Sequence, residues 1–276
     1  MNGKVYLVGA GPGDPELLTV KALRLLRTAD VVLHDDLITP GILQRISLGA
    51  EVQNVGKRCG SKTIRQEEID FLMVTRAAAG LTVVRLKSGD PLIFGRAGEE
   101  IAALRRANIP YEIVPGVTSA LGAAAAAGIP LTHRQTSSTL VLTVGHRASE
   151  NPPADWSKLT GAESTLVIYM PGSNYVEISS RLAASGFAQE TPCAIISRAT
   201  TPQQQIHRTT VSDLPQAPRL APPTLLVVGE VVKFADHGLV EGAASLPHPE
   251  NALGAGFARS AFLPAESLRA REEPLA

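Results

Sequence analysis

RLKSGDPLIFGRAGEE, residues 85–100, is the stretch from which the rest of the chain can be read. Val83, Val84 and Leu86 supply the β-branched and aliphatic bulk of a buried strand over 82–87, which stops at the turn cluster Ser88-Gly89-Asp90-Pro91. Pro91 pushes Asp90 out of the α region, and Gly89 lets the backbone pass close to a neighbour. Gly95 and Gly98 bracket Arg96 just ahead of a helical pattern, Glu99 to Ala107. Packing alone does not require two glycines, a fixed proline and an exposed aspartate at the end of a buried strand. An ordinary strand-to-helix loop is the alternative. The balance shifts because a second loop of this kind opens the chain.

There, KVYLV (4–8) reads as a buried strand and runs into Gly9-Ala10-Gly11-Pro12-Gly13-Asp14-Pro15. Asp14 suits a helix N-cap and Pro15 the first helical position, with Leu18, Ala22, Leu25 and Leu26 on one apolar face. The likeness to a dinucleotide-binding fingerprint is partial, because Pro12 removes an amide donor and Asp14 stands where a third glycine is expected. VVLH (31–34) is a second strand ending in Asp35-Asp36-Leu37. A carboxylate there faces the ligand edge of an open α/β sheet, or else is a turn aspartate. Val52 to Val55 form a third strand, followed by Gly56-Lys57-Arg58-Cys59-Gly60 and a helix entered at Gln66. Tyr111 to Val114 form a fifth, closed by Pro115-Gly116.

Strands alternating with helices across short glycine-rich loops predict a mostly parallel sheet with helices on both faces. Loops 9–14, 56–60 and 88–98 would then converge on one edge. An alanine-rich helix over Val117 to Gly128, with Thr118 and Ser119 in its first turn, leads to Gly128-Ile129-Pro130-Leu131-Thr132-His133-Arg134. A second α/β set follows. Strands are expected at 139–144, 165–170, 194–197, 206–210 and 225–228, and a helix over Val176 to Ala184. The expected organisation is an N-terminal α/β domain over 1–115, a C-terminal α/β domain with a mixed sheet over 116–238, and a disordered tail over 239–276.

Lys and Arg total 26, as do Asp and Glu, so zero net charge argues against a nucleic-acid or membrane binder while leaving room for a local basic cleft. Cys59 and Cys193 match no metal or redox spacing, and no metal is expected. No signal segment or long apolar run is present, which predicts a cytoplasmic protein.

GAGPGDPELLT, VGKRCG with QEEI downstream, RLKSGDPLIFGRAGEE, VPGVTSA and GIPLTHR occur in that order. Together they closely resemble the tetrapyrrole methylase family, from about residue 3 to about residue 235. The resemblance implies two α/β domains with an active-site cleft between them, a homodimer, and S-adenosylmethionine as methyl donor, leaving S-adenosylhomocysteine. It implies double C-methylation of uroporphyrinogen III, at carbons 2 and 7, giving precorrin-2 on the way to siroheme or cobalamin. A sister methylase acting on another corrin precursor is the alternative within the family. A nicotinamide-dependent dehydrogenase or nucleotide-binding module built on the first glycine loop is the alternative outside it.

Carried over by position, the family pattern places cofactor contacts at Pro12, Ser88, Gly89, Asp90, Ile93, Thr118, Ser119, Met170, Ala199 and Thr224. It makes Asp35 the proton acceptor and Lys57 the proton donor, against an alternative in which both orient substrate or stabilise the cleft. A substrate with eight carboxylates needs focused positive charge, for which Arg58, Arg96, His133 and Arg134 are candidates. For each, the alternative is a surface salt bridge with an acid such as Glu99. Ser88 and Ala97 stand where the family usually has glycine. Asp36 adds a carboxylate expected to point away or to pair with a base.

Overall fold

The computed structural model describes residues 3–56, 64–145, 156–158, 161 and 163–235. Strands β1 (Lys4–Gly9), β2 (Val31–His34), β3 (Glu51–Asn54), β4 (Thr82–Lys87) and β5 (Tyr111–Val114) form one sheet in the order β3-β2-β4-β1-β5, with every neighbouring pair parallel. Helices α1 (Val20–Thr28) and α2 (Pro40–Leu43) cover one face, and α3 (Gln66–Ala78) and α4 (Ala97–Arg106) the other. A sheet buried on both faces needs apolar residues at successive positions. This is why β2 and the first half of β4 lack polar alternation.

The second sheet runs β6 (Thr139–Val144), β7 (Ser164–Tyr169), β10 (Thr224–Val228), β8 (Pro192–Ser197), β9 (Gln205–Thr210). Only β6 and β7 are parallel; the other three neighbouring pairs are antiparallel. Helix α5 (Ser119–Ala127) lies in the core on one face, its alanines letting the backbone come close, and α6 (Tyr175–Ala184) packs on the other. Both sheets belong to one compact unit, Met1–Ala243. The expectation of a parallel sheet followed by a mixed one holds.

Several local expectations are corrected. Asp14 does cap, receiving the Glu16 amide at 2.8 Å, but what it caps is a 3-10 turn, Pro15–Leu17. Leu18 and Thr19 are extended, and α1 starts afresh with Thr19 Oγ1 accepting from the Ala22 amide at 3.1 Å. The third strand sits one residue earlier than Val52 to Val55, because His34 pairs with Asn54 and Val55 then drops into the core beneath α3. Helix α4 begins at Ala97, and the left-handed conformation falls on its N-cap Arg96 (φ 56°), so alanine at 97 carries no strain. The segment 239–276 and Cys59 lie outside the described residues. Cys193 is buried in β8, and burial pushes its thiol up to about 12, as suits a packed thiol.

Candidate active site

All five strands of the parallel sheet end on one edge, and the loops leaving β1, β4 and β5 are stitched together. Gly11 and Gly89 exchange backbone hydrogen bonds at 3.1 and 2.8 Å, which joins the first glycine loop to the central one. Gly89 has φ +67°, the left-handed region that glycine enters freely, and a methyl group on Gly116 would stand 2.3 Å from its carbonyl oxygen. Asp90 is the clasp: Oδ1 accepts from the Leu92 amide at 2.8 Å and Oδ2 from the Gly116 amide at 3.0 Å. It is therefore half-buried and tied, not the exposed aspartate expected. Each carboxylate oxygen keeps a further lone pair for a ligand.

The mixed sheet presents its own edge to these loops. Thr200 Oγ1 accepts from the Asp14 amide at 3.1 Å, Gly122 packs against Pro12, and Ile93 reaches into the core beneath the second sheet. The Phe94 and Tyr169 rings meet at 4.8 Å, tilted by 58°. The Tyr169 hydroxyl lies 2.6 Å from Thr118 Oγ1 and accepts from the Ala120 amide at 3.1 Å, fixing the start of α5. Five non-glycine residues around this junction have positive φ: Phe94, Arg96, Met170, Arg198 and Thr200. Such conformations cost about 1–3 kcal/mol each and gather at ligand sites.

Between the two edges lies a cavity of about 410 Å³, within the roughly 300–1,000 Å³ of small-molecule sites. Pro12, Ser88, Gly89, Asp90, Ile93, Thr118, Ser119, Met170, Ala199 and Thr224 all line it. So do Asp35 and Arg96. Lys57 and Arg58 lie outside the described residues. His133 and Arg134 are not on the wall: the chain after α5 turns away there, with His133 bridged to Ser137 and stacked on Phe234 at 4.3 Å.

Sequence reading missed a buried ion network on the cavity wall. Arg85 and Lys87 follow Val83 on one face of β4, and at the cavity edge that face changes from apolar to charged. Arg85 donates to Asp35 at 2.5 Å and to Glu100 of α4 at 2.9 Å; Lys87 donates to Glu100 at 2.9 Å. Burial alone would lower the Arg85 pKa, but Asp35 and Glu100 together outweigh it and hold it above its ordinary value. Burial, and then the Arg85 charge, lower that of Lys87 against the opposing pull of Glu100 and Asp35. Two cations inside a strand buried on both faces were the available signal, since such charges survive only when paired. Arg96, by contrast, forms a half-exposed bidentate pair with Glu99 at 2.9 and 2.6 Å. Asp36 accepts from Asn54 Nδ2 at 3.1 Å.

A parallel sheet and a mixed sheet framing one cavity, with glycine loops on one side and strained turns on the other, define a two-sheet α/β fold with a small-molecule site. The chain belongs to the tetrapyrrole (corrin/porphyrin) methylases, whose sequence pattern it matches over residues 4–215. It is 49% identical over 233 residues to siroheme synthase 1 of Klebsiella pneumoniae, covering 84% of this chain and 50% of that one. It thus spans about half the length of that relative. A crystal structure of uroporphyrin-III C-methyltransferase from Thermus thermophilus superposes with TM-score 0.71 at 45% identity, covering 86% of this chain and all of the other. A second Thermus thermophilus structure, in complex with S-adenosyl homocysteine, gives TM-score 0.73 at 39% identity over 84% of this chain and 94% of that one. Among the described residues no helix is long and apolar enough to cross a membrane, and no group of three or more His, Cys, Asp or Glu is placed to hold a metal ion.

Proposed function

We propose that this chain is an S-adenosylmethionine-dependent C-methyltransferase that methylates uroporphyrinogen III at carbons 2 and 7 to give precorrin-2. The observation that carries the reading is that ten residues from both sheets, matched to the family's cofactor positions one by one, line a single cavity. Their chemistry fits the donor. Pro12, Ile93, Met170 and Ala199 offer apolar walls for an adenine ring, and Asp90, Ser88 and Thr118 offer polar groups for a sugar. Ser119, in the first turn of α5, lies where backbone amides favour a carboxylate. When bound, the sulfonium supplies an activated methyl group.

The chain's own residues do the rest. The stitched loops and the Phe94–Tyr169 pair hold the walls in place before any ligand enters, so orientation is built in. Leu37, Phe94 and Met170 form an apolar rim, each 43% exposed or more, on which the face of a tetrapyrrole can rest. Asp35, 28% exposed and paired with Arg85, accepts the proton that must leave after methyl transfer. Arg96 can exchange Glu99 for a substrate carboxylate, because a surface ion pair is worth only about 0–1 kcal/mol. The domain boundary falls near Pro115-Gly116, the working form is a homodimer in the cytoplasm, and Lys57 and Arg58 take the proton-donor and substrate-binding roles that the family pattern gives them. The product supplies siroheme or cobalamin synthesis.

Incubating the purified protein with S-adenosylmethionine and uroporphyrinogen III tests the reading. The product mass is expected to rise by two methyl groups; no added methyl, or methylation of a different tetrapyrrole only, would contradict it.

A further inference from the structure

The stretch 85–100 begins and ends with charges that the cofactor and substrate assignments leave unused. In the fold its two ends meet. Glu100 projects from α4 with its side chain 1% exposed, and its Oε1 accepts from both Arg85 Nε and Lys87 Nζ at 2.9 Å. Arg85 Nη1 donates to the carbonyls of Leu33 and Leu86 at 3.3 and 3.1 Å, and Nη2 to Asp35 at 2.5 Å. A guanidinium is planar, so fixing Nε and Nη1 fixes the direction in which Nη2 points. Of the four charged groups, Asp35 is the most accessible, at 28% exposed, and the other three are almost wholly buried.

We infer that Glu100 is a positioning residue that acts through Arg85 to hold Asp35 in its working orientation. This rests on the reading of Asp35 as the proton acceptor. Among the described residues Glu100 is the anchor of the network that lies on a helix. It couples the orientation of a cavity carboxylate to the docking of α4 on the sheet. It also balances charge: with Glu100, two buried cations face two carboxylates, and without it two cations would face Asp35 alone. Lys87 completes that balance from the cavity wall. A purely structural filler at position 100 would be served by an apolar side chain against an apolar strand, which is the arrangement at Val83 and Leu104.

The test uses the full chain carrying Glu100→Gln, Asp35→Asn, and both together. Steady-state kinetics with S-adenosylmethionine and uroporphyrinogen III each varied, and calorimetry with S-adenosylhomocysteine, supply the readouts. Glu100→Gln is expected to lower kcat by about tenfold or more, since a displaced catalytic group is costly. KM for both substrates and the S-adenosylhomocysteine affinity should stay within about twofold. The double variant should turn over no more slowly than Asp35→Asn alone, because both changes remove one function. If Glu100→Gln fails to fold, Glu100→Asp, which keeps the charge and withdraws the oxygens, is read the same way. A slow Asp35→Asn beside an unaffected Glu100 variant would overturn the positioning role alone, as would losses that add. A fully active Asp35→Asn would overturn the proton-acceptor reading first, and the positioning role with it.

Discussion

The two edges that face each other across the cavity are made of different material. The parallel edge brings charge: Asp35, Arg85, Lys87 and Asp90 stand near or just past strand ends, Asp35 held by Arg85 and the others by burial or by two or more partners. Among the described residues the mixed edge brings no charge to the wall, only Tyr169, Met170, Ile196, Ala199 and the 223–225 segment, with strain at Met170 and Thr200. In a parallel sheet all strand ends point one way, so ionised groups accumulate there and can be paired with one another. Antiparallel neighbours alternate their ends and supply shape. The difference suggests a division of labour, chemistry on one edge and a fitted wall on the other.

The hardest blow to that comparison is Arg85→Met. Removing one partner from a buried ion network costs about 3–5 kcal/mol, so denaturant unfolding should show a loss of that size together with lost turnover. A stable, active variant would mean that the charged edge is dispensable. Tyr169→Phe should be milder, about 1–3 kcal/mol, because the Thr118 hydroxyl and Ala120 amide lose their partner. Thermal melts would show it, and an unchanged melting temperature would mean that the mixed edge does not fix α5. Arg96→Ala should change stability by less than about 1 kcal/mol. It should raise KM for uroporphyrinogen III more than KM for S-adenosylmethionine, and equal effects would remove Arg96 from the substrate side.

The smallest effect is expected far from the cavity. Hydrogen bonds from Lys21 and then Lys4 hold the Glu112 carboxyl down at about 2 from an ordinary 4.5. A lowered acid pKa stabilises the fold fully above the ordinary value, and that contribution fades as pH falls from about 4.5 through about 2. Glu112→Gln should therefore lower the melting temperature slightly at neutral pH, and the difference should vanish near pH 2.

Much of this was legible. Strands at 31–34, 82–87, 111–114 and 139–144 fall where the apolar runs place them, because buried strands must be apolar at successive positions. The glycine loops announced themselves by composition. Less visible were features decided by tertiary pairing. The extended pair Leu18-Thr19, which delays α1, and the register that sets β3 depend on neighbours distant in sequence. His133 and Arg134 looked like substrate-binding bases because they close the GIPLTHR motif, yet the turn at Ser137 carries them elsewhere. The Arg85–Glu100 contact spans the motif itself, and only the packing of α4 against β4 brings its two ends together.

The division of labour is tested most directly by one titration, S-adenosylhomocysteine against Asp35→Asn and Ala199→Leu, read beside kcat at saturating S-adenosylmethionine. Asp35→Asn should bind like the unaltered protein and turn over at least about tenfold more slowly. Ala199→Leu, which fills the uncharged wall, should bind at least about tenfold more weakly while keeping kcat. Weakened binding in Asp35→Asn with normal turnover, or lost kcat in Ala199→Leu with normal binding, would contradict the account.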